Sequence, residues 1–168
     1  MTNRALSLGP STDPASVRRH DDWHRLVAPP TAASTALCLG GSALMIVSAA
    51  IHLHLWAGGY RHIPTIGPLF VLQGVVGALL ALMVSVIRRP VAALTGAIFM
   101  ASTFGGLVLS VEIGLFGFKD SLDAPFARWS LAVESAAFVL LMTAALVGIR
   151  GSGGNGHTDR RRGRSRPT

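Results

Sequence analysis

The sequence predicts an all-α protein, a four-helix transmembrane bundle with disordered polar tails. Four apolar stretches, at residues 35–57, 66–87, 91–116 and 129–149, occupy more than half of the 168 residues. A hydrocarbon core about 30 Å thick requires about 20 predominantly apolar residues, and each stretch is long enough to cross it. Composition supports the same class, because 50% of the residues are hydrophobic, 14% are charged and the mean hydropathy is +0.49.

Residues 1–33 precede the first apolar stretch and are predicted to be a disordered cytoplasmic tail. Several prolines interrupt this segment, and no early apolar run predicts a signal peptide. The transmembrane domain is predicted to span residues 34–150. Its first helix contains the single cysteine, Cys38, which excludes an internal disulfide framework.

The second helix, predicted over residues 66–87, could be capped by Thr65 or Gly67, with Pro68 in its first turn. Proline is tolerated there because the first N–H groups of a helix have no intrahelical partner. Arg88 and Arg89 separate this helix from the third.

Small residues dominate one face of the third helix. Ala101, Gly105 and Val108 share that face with Glu112. Small residues let neighbouring membrane helices approach closely, so this helix is predicted to be the central packing element. The fourth helix follows, and residues 151–168 are predicted to be a disordered basic tail because they offer no core residues.

The placement of the basic residues predicts the orientation. Twelve of the 15 lysines and arginines precede the first helix, separate the second helix from the third, or follow the fourth helix. The other two loops contain only Arg61, Lys119 and Arg128. By the positive-inside rule, both termini are predicted to be cytoplasmic, in the cytoplasmic membrane. The net charge of +7 is therefore attributed to topology rather than to nucleic-acid binding, and the basic C-terminal tail could contact anionic lipid headgroups.

Each predicted helix contributes one polar side chain within its apolar stretch to a candidate cluster: His52, Gln73, Glu112 and Glu134. Ionisable residues are costly inside a bilayer, so each one is expected to pair with another polar group or to belong to a functional site. Counting along the helices places all four about 8–10 Å below the outer boundary. The sequence therefore predicts an outward-facing polar cluster.

The two histidines of the first helix cannot both face the interior. Residues two apart point in nearly opposite directions on a helix. His52 shares its face with Gly41, Met45 and Ser48, which are small or polar. We therefore predict that His52 faces the interior and that His54 faces the interface.

Three interpretations of the cluster are open. A divalent metal could be bound by His52, Glu112 and Glu134, with Gln73 or water completing the coordination. The carboxyl groups and His52 could instead share a proton. In the third interpretation, a paired or protonated glutamate only hydrogen-bonds across helices and holds the bundle together.

The loop after the first helix contains Tyr60, Arg61 and His62, above the predicted cluster. These residues could gate the cluster or anchor the chain at the interface, where aromatic and basic side chains are common.

The chain resembles a group of small four-helix membrane proteins of actinobacteria. The resemblance rests on the sequence from His52 to Phe70, the Leu-Phe-Gly-Phe segment at residues 115–118 and Glu134. The resemblance covers roughly residues 42–149 and implies a membrane location.

Two classes of function therefore follow from the sequence. A transport or sensing component would bind a cation or a proton at the polar cluster. A structural or assembly subunit would pack a membrane partner or a second copy through its small-residue faces. An enzyme has the least support, because the sequence contains no nucleophile–base pair, phosphate-binding loop or His-Glu-x-x-His motif.

Overall fold

The structure is a computed structural model that describes residues 26, 27, 29–114, 119, 121, 123 and 126–162. These residues form four long helices and one short 3₁₀ turn, Tyr60–His62. No strand occurs in this part of the chain. The predicted all-α, four-helix fold is confirmed. The helices are α1, Ala32–Gly58; α2, Ile66–Ile87; α3, Pro90–Glu112; and α4, Ala127–Arg162.

Each helix is long and apolar enough to cross a membrane, in the case of α4 over Ala127–Gly151. Large apolar side chains cover the outside of the bundle, and Leu79, Val86 and Val139 are 62%, 68% and 58% exposed. A soluble helix would present polar residues on its outer face. The architecture is therefore that of a multi-pass membrane protein.

The helices form a ring in which each one packs beside the next and α4 packs against α1. The contact between α2 and α3 is the smallest of the four neighbouring contacts. Small residues permit the close packing at the centre, where Gly96 of α3 touches Met45, Val84 and Leu141 from the other three helices. Such close contact is how membrane helices gain packing energy without a hydrophobic driving force between them.

The connection between α2 and α3 is only two residues long. Arg88 adopts the left-handed conformation with φ 51°, Arg89 is extended, and Pro90 begins α3. Proline suits that first position because its missing N–H would have no partner. The two helices therefore run antiparallel.

Helix α3 ends earlier than the apolar run that defines it in the sequence. The N–H of Gly114 donates to the carbonyl of Leu109, and Gly114 adopts φ 80°. This left-handed glycine terminates the helix at Glu112 rather than at the predicted residue 116. The segment 115–118 lies outside the described residues.

The prediction that α3 is the central packing helix is wrong. Ala101 and Val108 are exposed, and a methyl group at Gly105 would touch nothing within 4 Å. The ring arrangement explains this, because α3 packs mainly against α4 and its Glu112 face points away from the bundle.

The fourth helix continues to Arg162, into the segment predicted to be a disordered tail. Helix propagation adds one backbone hydrogen bond per residue and needs no apolar contact. The N-terminal tail lies almost entirely outside the described residues, as do residues 163–168, and the side chains beyond Gly151 are not described.

Candidate functional site

Glu134 of α4 lies at the centre of the bundle and is only 1% exposed. Its Oε1 atom accepts hydrogen bonds from Ser48 Oγ at 3.2 Å, Ser130 Oγ at 3.1 Å and Gln73 Nε2 at 3.4 Å. Three helices thus supply donors to one carboxyl oxygen. Within the described part of the chain, the buried Oε2 atom has no hydrogen-bond partner.

His52 of α1 is the second ionisable group of the site and is 8% exposed. Its Nδ1 lies 2.8 Å from the carbonyl oxygen of Ser48. A carbonyl can only accept, so Nδ1 carries a hydrogen atom. The other ring nitrogen, Nε2, faces Glu134 Oε1 at 3.9 Å, just beyond hydrogen-bond distance.

Helical spacing places these groups together. Ser48 and His52 are four residues apart on α1, and Ser130 and Glu134 are four residues apart on α4, so each pair shares a helix face. Close packing of α1 against α2 brings Gln73 to the same level. Its neighbour Gly74 has no room for a side chain, because a methyl group there would lie 2.6 Å from Leu53.

The site contains polar groups that can hold a single additional proton. With Nδ1 fixed as a donor, that proton resides either on His52 Nε2 or on the Glu134 carboxyl group. Either arrangement leaves the pair with zero net charge, whereas removal of the proton leaves an unpaired buried carboxylate. Net charge is disfavoured in an apolar, low-dielectric environment. The geometry is therefore suited to binding one proton.

Two aromatic side chains connect the site to the loop after α1. Phe70 lies beside the His52 ring, with centroids 5.2 Å apart and planes inclined by 52°. Tyr60 stacks on Phe70 with a centroid separation of 4.7 Å. This aromatic stack covers His52 on the side of the loop.

A cleft of about 420 Å³ adjoins the site between α2 and α3. Apolar side chains form most of its walls, and His52 and Gln73 are among its polar lining residues. The His52–Glu134 site therefore borders an open cleft instead of being sealed on every side.

The structure brings together three of the four predicted cluster residues, His52, Gln73 and Glu134. Glu112 is exposed and lies elsewhere. The cleft wall extends along α3 as far as Ser110, two residues before Glu112, but Glu112 is not among the lining residues.

The predicted metal ligands His52, Glu112 and Glu134 are consequently not assembled. Across the described residues, no group of three histidine, cysteine, aspartate or glutamate side chains is arranged to hold a metal ion. The physical reasons are that the Glu112 face of α3 points away from the bundle and that Glu112 is the last residue of the helix.

The histidine orientations agree with the predicted faces. His52 shares its buried face with Gly41, Met45 and Ser48. His54 is exposed, and its ring contacts Phe126 edge-on at 5.5 Å.

The predicted gate or anchor residues form the short turn Tyr60–His62. Arg61 Nε donates to His62 Nε2 at 3.0 Å, and both side chains are exposed. Tyr60 alone of the three connects to the site, through its stack on Phe70.

Sequence reasoning missed Ser130, although its spacing from Glu134 is a readable signal. A serine four residues before a buried acid can donate to it across one helical turn. The role of Phe70 had no such signal, since an aromatic residue near a predicted helix start is common at membrane interfaces.

No protein-family model matches this chain, and neither a curated protein nor a solved structure is significantly similar to it.

Proposed function

We propose that the chain is a proton-handling component of a membrane, in transport or in sensing, and that His52 and Glu134 together bind the proton. One observation carries this proposal. A carboxyl group that is 1% exposed faces an imidazole nitrogen at 3.9 Å, inside four helices that are apolar on their outer faces. Intramembrane ionisable pairs of this kind are typical of proton relays.

The hydrogen bonds to Glu134 support a functional site over a purely structural one. Ser48, Ser130 and Gln73 all donate to Oε1, which leaves Oε2 to gain or lose a proton without breaking these contacts. Donors from α1, α2 and α4 meet at this carboxyl group, so a change in its protonation alters hydrogen bonds to three helices. That arrangement links proton binding to the packing of the bundle.

Infrared spectroscopy of the protein in lipid bilayers tests the proposal directly. We expect a protonated-carboxyl C=O band that changes with pH and is absent in Glu134→Gln. Its midpoint should move in His52→Gln, because the two groups share the proton. A midpoint unaffected by His52→Gln would refute proton sharing.

Two matched variants control for unspecific effects. Glu112→Gln removes an exposed carboxyl group, and His54→Gln removes an exposed imidazole. Both should leave the Glu134 band unchanged. Circular dichroism and thermal unfolding would establish that each variant retains the wild-type helical content.

The proposed location is the cytoplasmic membrane with both termini in the cytoplasm, from the arginine distribution. In this orientation the His52–Glu134 site lies in the outer half of the bilayer, below the Tyr60–His62 turn. The basic segment after Gly151 would contact anionic lipid headgroups on the cytoplasmic surface.

A second candidate function is assembly with a membrane partner or a second copy. The observation in its favour is the unpacked second half of α3, where methyl groups at Gly105 and Gly106 would meet nothing within 4 Å. Ala101→Leu on the same exposed half should then reduce the yield of a cross-linked complex while leaving the Glu134 band intact. An unchanged yield would count against this alternative.

A further inference from the structure

The cleft between α2 and α3 has the dimensions of a small-molecule site. Its volume is about 420 Å³, and such sites usually measure about 300–1,000 Å³. Because α2 and α3 are neighbours in the ring, the gap between them faces the lipid. Leu69 and Leu72 line it and are 40% and 57% exposed, so a ligand dissolved in the bilayer can reach it laterally.

The lining favours an uncharged ligand. None of the described residues that line the cleft is acidic, and none is a lysine or arginine. A phospholipid headgroup would bring a phosphate into contact with apolar walls and no cation. The polar lining instead consists of imidazole, amide and hydroxyl groups, at His52, Gln73, Ser102, Thr103 and Ser110.

Two hydroxyl groups on the α3 wall, those of Ser102 and Thr103, donate to backbone carbonyls and keep lone pairs that can accept hydrogen bonds. Ser102 Oγ donates to the carbonyl of Ile98 at 2.9 Å, and Thr103 Oγ1 donates to that of Met100 at 2.9 Å. Each hydroxyl has one hydrogen and two lone pairs, so both oxygens remain acceptors. In neutral His52, Nε2 is an acceptor as well, because Nδ1 holds the hydrogen. The cleft therefore offers three acceptor atoms, on Ser102, Thr103 and His52, to a ligand that donates.

We propose that this cleft binds an isoprenoid quinol, a lipid-soluble aromatic diol. Its hydroxyl groups would donate to Thr103 and His52, its ring would lie near Phe70 and Phe99, and its apolar chain would leave past Leu72 into the bilayer. The inference concerns binding alone. It goes beyond the proposed proton site, with which it shares His52, and binding does not require proton exchange.

The probe is duroquinol, kept reduced under anaerobic conditions and titrated calorimetrically into the full-length protein in lipid nanodiscs. Empty nanodiscs give the partition background. We expect saturable binding at one molecule per chain. The dimethyl ether of duroquinol keeps the ring but lacks the donors, and loss of a hydrogen bond of about 1.4 kcal/mol weakens binding about tenfold. Equal binding of the ether, or no saturable binding of the quinol, would overturn the proposal.

Two neighbouring glycines offer a matched pair of variants. Both Gly105 and Gly106 have open space at the Cβ position, but only Gly106 is among the residues lining the cleft. Gly106→Leu should fill the cleft and abolish duroquinol binding, whereas Gly105→Leu should retain it. Thr103→Val should weaken binding without changing the shape of the wall. Full binding by Gly106→Leu would place the ligand elsewhere and refute the assignment.

The infrared titration separates this inference from the proposed function. Gly106→Leu should lose the quinol and still show the pH-dependent band of Glu134. If duroquinol fails to bind while the Glu134 band still changes with pH, only the quinol inference is refuted. If duroquinol binds while His52→Gln leaves the midpoint of the Glu134 band unchanged, only the proton proposal is refuted.

Discussion

At the scale of single residues, the environment of Glu134 separates it from the other acid predicted to join the cluster. Glu134 is 1% exposed and accepts three hydrogen bonds, whereas Glu112 is exposed at the end of α3. A buried polar group is tolerated when its partners are in place, and removal of one partner leaves the others unsatisfied. The two glutamates should therefore respond very differently to the same substitution.

We predict that Glu134→Leu destabilises the bundle by about 1–3 kcal/mol, because it leaves donors from Ser48, Ser130 and Gln73 unpaired. Glu134→Gln retains an acceptor oxygen and should cost less. Reversible unfolding in mixed micelles measures the difference. Glu112→Leu is the matched control and should change the free energy of unfolding by no more than about 0.5 kcal/mol. An equal loss in both leucine variants would contradict the assigned role of Glu134.

At the scale of helices and turns, backbone contacts fix the loop above the site. Gly67, in the first turn of α2, lies directly under the Tyr60–His62 turn. A methyl group at Gly67 would be 2.8 Å from the Tyr60 carbonyl oxygen and 3.0 Å from Arg61 Cα. Neither is the movable end of a side chain, so the turn itself would have to shift. This contact positions Tyr60 over Phe70, and through it over His52.

Gly67→Ala should therefore lower the free energy of unfolding by about 1–3 kcal/mol, as overpacking typically does. Hydrogen exchange at residues 60–67 should rise as the turn loses its contact. Gly58→Ala is the control, because a methyl group there meets nothing within 4 Å and alanine is the better helix former. If both variants behave alike, the backbone contact at Gly67 does not hold the turn.

The sequence predicted the helices well and the site only in part, and Glu112 explains the difference. Hydrophobic length was sufficient to identify α2 as residues 66–87, as observed. The same criterion extended α3 to residue 116, because Ile113 and the following residues are also apolar. The left-handed Gly114 ends the helix instead, which is a local backbone property that hydropathy does not report. With the helix end misplaced, the estimated depth of Glu112 was misplaced too.

The direction in which a side chain faces was predictable where the two faces of its helix differed in size or polarity. The contrast between the two faces of α1 correctly identified His52 as the buried histidine. On α3 the small residues gave no such guidance, because glycine and alanine suit both a tight interface and a lipid-facing surface. Which helices are neighbours in the ring decides between these possibilities, and no single helix contains that information.

At the scale of the whole molecule, helix geometry and charge together determine which ends share a side of the membrane. The Arg88–Arg89 connection and the N-terminal end of α1 lie at one end of the antiparallel bundle, and the Tyr60–His62 turn lies at the other. In the sequence, 12 of the 15 lysines and arginines precede α1, form this connection or lie from Arg150 onward. Basic segments are retained on the cytoplasmic side during insertion. We accordingly predict that the His52–Glu134 site and the adjoining cleft lie in the half of the bilayer nearer the outer surface.

Cysteine labelling tests this orientation without altering any charge. In a Cys38→Ala background, Ser121→Cys should react with a membrane-impermeant maleimide in intact cells, because Ser121 is exposed in the loop before α4. Ala33→Cys, exposed at the start of α1, should react only after the cells are permeabilised. Both residues are exposed at ends of the bundle, so a difference in their labelling reports the side of the membrane on which each lies and not a difference in burial. Labelling of Ala33→Cys in intact cells would show that the bundle has the opposite orientation. The His52–Glu134 site would then lie in the inner half of the bilayer, and its proton would have to come from the cytoplasm.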